Sequence, residues 1–154
     1  MSCAVTYHPN AELVARAWLA QVTGITAGMV STTLPADKTT WTTDGFITVQ
    51  CVGGQPSIDY ALRGSAIQVD CWANSGTSSR PPWGKAAQLA EKITAGIYAR
   101  QGQQAVLTMP VTGYYQVFVR EVIPTQEFRR VPGDDASYAR YTADLIVKWT
   151  ELVT

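Results

Sequence analysis

A single histidine, His8, stands immediately before Pro9, so any Ser-His-Asp arrangement or imidazole-bound metal would have to be assembled around that one residue. Beside a helix start it reads as a surface or cap-adjacent side chain. Asp134 and Asp135 follow Pro132 and Gly133. Adjacent carboxylates can divide acid and base roles, but after Pro-Gly they have the setting of a solvated turn. Asp70 is placed differently, between Val69 and Cys71 in an alternating run. On a wet face it needs nothing; on a buried one it would require a cation such as Arg63 or Arg120. The cysteines Cys3, Cys51 and Cys71 are odd in number and lack metal-ligand spacing. Cys51 and Cys71 fall on apolar strand faces and read as buried, reduced thiols of a protein made in the cytoplasm. Gly53-Gly54 is followed by neither Gly-Lys-Ser nor a third glycine, so no phosphate cradle is indicated. The residues point to no catalytic group, cofactor or metal, and the expectation is a protein that is not an enzyme and acts through its surface.

That surface has candidates. Trp18, Trp41, Trp72, Trp83 and Trp149 are many tryptophans for this length, and Trp41, Trp72 and Trp83 fall at or beside loops. Tryptophan and arginine anchor protein interfaces because they bury large areas and carry polar handles. Phe128, Arg129 and Arg130 place an aromatic ring beside two cations in a connecting segment. These six residues, Trp41, Trp72, Trp83, Phe128, Arg129 and Arg130, are the candidate oligomer or partner contacts. The competing reading of each ring is that it plugs the end of the core. For Arg129, Arg130 and Arg140 the alternatives are a phosphate backbone, a partner's carboxylates or water.

The elements that must hold these residues follow from periodicity. Pro9 and Glu12 suit the first turn of a helix whose stripe is Leu13, Val14, Ala17 and Trp18, closed by Gly24. Met29 to Leu34 is a short strand candidate ended by Pro35, and Thr39 to Thr43, carrying Trp41, reads as a loop or edge segment. Phe46 to Val52 sets Ile47, Val49 and Cys51 on one face, as Ser65 to Trp72 does with Ile67, Val69 and Cys71. Pro81-Pro82 opens a helix of about 18 residues, about 27 Å long, with Ala86, Leu89, Ala90, Ile93 and Ile97 inward and a stop at Arg100 and Gly102. Val106 to Met109 is a short edge strand and Tyr114 to Ile123 a long one ended by Pro124. The connection from Pro124 to Asp135 should be long and mobile. In the last strand Tyr141, Ala143, Leu145, Val147 and Trp149 face one way and Arg140, Thr142, Asp144 and Lys148 the other. The sum is an α+β domain: an antiparallel or mixed sheet of four to five strands with both helices packed on one face.

The totals agree. At 154 residues one domain, 1–154, is expected to bury a full core. Twelve basic residues balance twelve acidic ones, which leaves no net field for generic binding to DNA or an anionic membrane. No apolar run approaches the roughly 18 residues of a membrane span, and the N-terminus lacks the pattern of a signal peptide.

The strand Arg63-Gly64-Ser65-Ala66-Ile67-Gln68-Val69-Asp70-Cys71-Trp72-Ala73, followed by Pro81-Pro82-Trp83-Gly84-Lys85-Ala86 and Leu89-Ala90-Glu91-Lys92-Ile93, resembles the tail terminator proteins of long-tailed, siphovirus-type bacteriophages. The resemblance extends over nearly the whole chain as an order of elements. It implies a virion structural protein at the head-tail junction. Six copies would form a hexameric ring on the tail tube protein, end its polymerisation and present the joining surface for the head connector or stopper. Genomic DNA would pass through the lumen without sequence-specific binding. The alternatives are another head-to-tail joining component, a stopper or head-completion protein, and a small ligand-binding or enzymatic α+β domain using the face that carries Asp70 and Trp72.

Overall fold

The computed structural model describes residues 4–54, 62–76, 81–99, 104–133 and 137–153. Its two α-helices are α1 (Ala11–Ala20) and α2 (Trp83–Tyr98). The strands are β1 (Val30–Ser31), β2 (Phe46–Gly53), β3 (Leu62–Asn74), β4 (Ala105–Leu107), β5 (Gln116–Pro124), β6 (Arg129–Val131) and β7 (Tyr138–Leu152). Asn10 caps α1: its Oδ1 accepts from the Leu13 N–H at 2.9 Å, satisfying one of the donors that a helix start leaves free. The Pro81-Pro82 pair precedes α2, where the N–H groups that prolines lack would have had no intrahelical partner.

All strands join one mixed sheet in the order β1-β2-β3-β7-β5-β4, with β6 also paired to β7. Only β1 and β2 run parallel among these pairings. The central strand is β7. Along one side it pairs with the full length of β3, from Leu62↔Thr150 to Asn74↔Tyr138. Along the other it takes β5 from Leu152 back to Leu145 and then β6 from Thr142 to Arg140. β5 and β6 are therefore one path interrupted at residues 125–128. Thr125 bridges the break by donating its N–H and its hydroxyl to the Asp144 carbonyl, at 2.9 and 3.0 Å.

Side-chain alternation divides the sheet into two faces. Ile47, Val49, Ile67, Val69, Cys71, Val117, Val119, Leu145, Val147 and Trp149 form one buried cluster with Leu13, Val14 and Trp18 of α1 and Leu89, Ile93 and Ile97 of α2. Both helices thus cover the same face, as the apolar stripes require. Gly45 marks how close α2 comes. Its φ is +78°, and a Cβ there would lie 2.6 Å from Leu89 Cδ1 and 2.7 Å from the Trp72 carbonyl oxygen, so only glycine fits. The opposite face carries Thr48, Gln68, Asp70, Trp72, Arg140, Asp144 and Lys148, most of them partly exposed. No helix among the described residues is long and apolar enough to cross a membrane.

The α+β class and the two helices stand, but among the described residues the sheet has seven strands, not four to five. Short strands form at the two candidates Met29 to Leu34 and Val106 to Met109, as β1 and β4; β6 is the strand that no pattern announces, since three residues are too few to show a period. The segment from Met29 contributes a strand only at Val30–Ser31, and the connection after Pro124 is not a free loop, because Arg129–Val131 pairs with β7. Cys51 corrects another expectation. It lies past the cover of α1 and is exposed, while Cys71 is fully buried. Cys3, the helix stop at Arg100 and Gly102, and the Asp134-Asp135 pair lie outside the described residues.

Candidate interaction surface

The open sheet face supplies a connected group of side chains. Trp72 on β3 sits opposite Phe46 of β2 and Arg140 of β7. Its indole N–H donates to Thr48 Oγ1 at 3.0 Å, and the Arg140 guanidinium carbon lies 5.0 Å from a Trp72 ring centroid. Arg140 Nη1 also lies 3.9 Å from Asp70 Oδ2, and Gln68 Nε2 lies 3.4 Å from both Asp70 oxygens. The cation for Asp70 is therefore Arg140, not Arg63 or Arg120. A cation over an indole at such a site contributes about 0.5–1 kcal/mol, and a loose, partly exposed ion pair less. Their joint effect is to hold an aromatic ring and its flanking charges in place, so that fewer rotamers are lost when another surface docks.

The six sequence candidates fall in three places. Trp72 and Arg129 share the open face, since Arg129 pairs with Thr142, which in turn lies opposite Asp70. Arg130, the next residue, points to the helix side. Its guanidinium carbon lies 5.1 Å from the centroid of Trp83, and Trp83 meets Tyr141 edge-on at 6.1 Å. Phe128 is half-buried against the core cluster beside them. Trp41 is 3% exposed; it packs on Phe46 and Tyr138, with centroids 6.4 and 5.8 Å apart. A buried ring closing the sheet end offers nothing to a partner in this conformation. The short 3-10 turn Lys38–Trp41 holds it there: Asn74 Nδ2 donates to the Lys38 carbonyl, and the Thr42 hydroxyl donates to Asn74 Oδ1.

A second cluster was not visible in the sequence. Arg63 Nη1 donates to Glu151 Oε1 at 3.0 Å and to the Pro9 carbonyl at 3.1 Å. Its guanidinium carbon lies 4.3 Å from a Trp149 ring centroid. His8 Nδ1 pairs with the other carboxylate oxygen of Glu151, and Tyr7 exchanges backbone hydrogen bonds with Gly113 and Tyr115. His8 thus belongs to a strut that ties the segment before α1 to the sheet. No nucleophile is hydrogen-bonded to it among the described residues. The burial of Cys71, aided by the neighbouring Asp70 charge, pushes its thiol far above the ordinary cysteine range, so it stays protonated and inert. Among the described residues no three His, Cys, Asp or Glu side chains gather as a metal site would require.

No family model and no curated protein matches this chain. Solved structures do match, among them one whose name states no function. It is 18% identical, with 94% of this chain and 97% of that chain covered, and superposes with a TM-score of 0.40. A superposition that loose decides nothing about function.

Proposed function

We propose that this chain is a tail terminator of a long-tailed bacteriophage. On this reading it is a subunit that closes with copies of itself into a hexameric ring over the end of the tail tube, stops further addition and offers the head connector its joining surface. The proposal rests on the order of elements and on the segment from Arg63 to Ile93. The observation that carries it is the sheet face opposite α1 and α2, which among the described residues is left open beyond the Lys38–Trp41 turn and on which Trp72, Arg140 and Asp70 are held together beside Arg129. A ring of this kind needs no catalysis. Each subunit presents two different patches that close by rotation, and the upper face of the ring does not repeat the lower one. Equal numbers of acidic and basic residues suit a lumen that passes DNA without gripping it.

The test is to add purified protein to polymerising tail tube protein and image the product by negative-stain electron microscopy. Rings at tube ends and shortened tubes are expected. Tubes of unchanged length with no added density would overturn the reading, and density at the tube end without an effect on length would favour a head-to-tail joining protein such as a stopper.

A further inference from the structure

The break between β5 and β6 has a consequence on the helix side. Residues 125–128 leave the β7 ladder there, and facing them α2 presents the small Ala87 and Ala90 together with Thr94, whose hydroxyl is turned back onto the Ala90 carbonyl at 2.9 Å. The result is a groove of about 330 Å³ floored by Phe128 and Tyr141. Two carboxylates, Glu91 and Glu127, stand at its rim, and neither has an ion-pair or hydrogen-bond partner among the described residues. Ile97 and Tyr98 line this groove and also a larger trough of about 980 Å³, so the two adjoin at a Tyr98 ring that is 78% exposed. The larger trough carries Arg120, a cation without an ion-pair partner among the described residues, beside the Glu121–Lys148 pair at 3.6 Å.

We propose that these two depressions form one docking channel for an extended segment of a partner polypeptide. That segment places an arginine or lysine between Glu91 and Glu127, apolar side chains over Phe128 and Tyr98, and an acidic residue toward Arg120. The signs of the unpaired charges select this occupant. Two carboxylates beside an apolar floor repel phosphates and nucleotides and attract a cation with an apolar stem, and the exposed tyrosine ring adds a cation–π surface. Among the described residues too few donors meet for a metal ion. A small amine could fill the acidic groove but could not reach Arg120 past Tyr98, whereas an extended chain advances about 3.3 Å per residue. This inference does not depend on the tube-end reading, since it is argued from Glu91, Glu127 and Arg120, none of which that reading uses.

The experiment is amide chemical-shift mapping on the full, isotopically labelled chain. The probes are acetylated hexapeptides Ser-Arg-X-X-Glu-Ser, with leucine, valine or phenylalanine at X. Saturable shifts confined to Thr94, Tyr98, Arg120 and Phe128 and their neighbours are expected. Affinity should fall at least fivefold when the peptide arginine becomes glutamine, and by a similar factor in the exposed, fold-neutral variants Glu91→Gln with Glu127→Gln and Arg120→Gln. Ala87→Trp should fill the groove and abolish the shifts. The proposal is overturned by an absence of shifts at millimolar peptide, by equal binding of the glutamine peptide, or by hexylamine reproducing the whole pattern. It is also overturned if the same shifts grow with protein concentration alone, because the occupant would then be a second copy.

Discussion

Arg140 faces Trp72 across the β3–β7 pairing, its guanidinium carbon 5.0 Å from a ring centroid of the indole, while the indole N–H is taken by Thr48 on the next strand. Three strands thus hold one aromatic ring on the face that neither α1 nor α2 covers. If that face is an interface, Trp72→Ala should weaken association with copies or with tube ends by at least about 30-fold, since truncating a central tryptophan costs about 2 kcal/mol or more. Arg129→Glu, on the same face, should weaken it too. Both variants should keep the wild-type circular dichroism spectrum. Undiminished assembly, measured by sedimentation or electron microscopy, would remove this face from the contact.

Leu89 is 2% exposed and lies where α2 meets the sheet. Leu89→Ala should lower the unfolding free energy by about 2–5 kcal/mol. Urea denaturation checks this; an unchanged midpoint would mean that α2 does not pack on the sheet as described.

Gly45→Ala tests the tight approach at the start of β2. A methyl group would meet both the Trp72 carbonyl and Leu89, on a backbone with φ of +78°. A loss of about 1–3 kcal/mol is expected from the conformational strain alone. Stability equal to wild type would contradict the backbone geometry.

Arg63 ties the segment before α1 to the sheet through Glu151, the Pro9 carbonyl and the Trp149 ring. Arg63→Ala leaves the Glu151 carboxylate, only 13% exposed, without its cation, at a cost of about 2–3 kcal/mol. His8→Ala removes a far more exposed partner and should cost at most about 1 kcal/mol. Hydrogen exchange at Tyr7 and Tyr115 should quicken more in the first variant than in the second. The reverse order would refute the assignment of roles.

The thiols should differ sharply. Burial holds Cys71 protonated, so it should resist a disulfide reagent at pH 8 until the protein unfolds. Cys51, exposed beside Gly53, should react in the native state. Raising the pH within the folded range should leave Cys71 untouched, because its raised pKa keeps the thiolate fraction negligible. Peptide mass mapping distinguishes the two, and early labelling of Cys71 would contradict its burial.

The α+β class, the places of the long strands and the inward stripe of each helix were legible in the chain because they rest on repeats of two or 3.6 residues within a short window. Tyr141 to Trp149 point to the core as their alternation predicts, and Leu89, Ile93 and Ile97 do likewise on α2. Cys51 misled that logic. Its parity is right, but whether a residue of the correct parity is covered depends on where α1 ends over the sheet. The same holds for Arg129 and Arg130: adjacent in sequence and alike in chemistry, they were sent to opposite faces by the register of a three-residue strand. The partners of Asp70, His8 and Glu151 come from segments far away along the chain. No local pattern encodes such pairings, which arise only when β7 is threaded between β3 and the broken β5–β6 path, and that threading is settled by the burial of the whole apolar set at once.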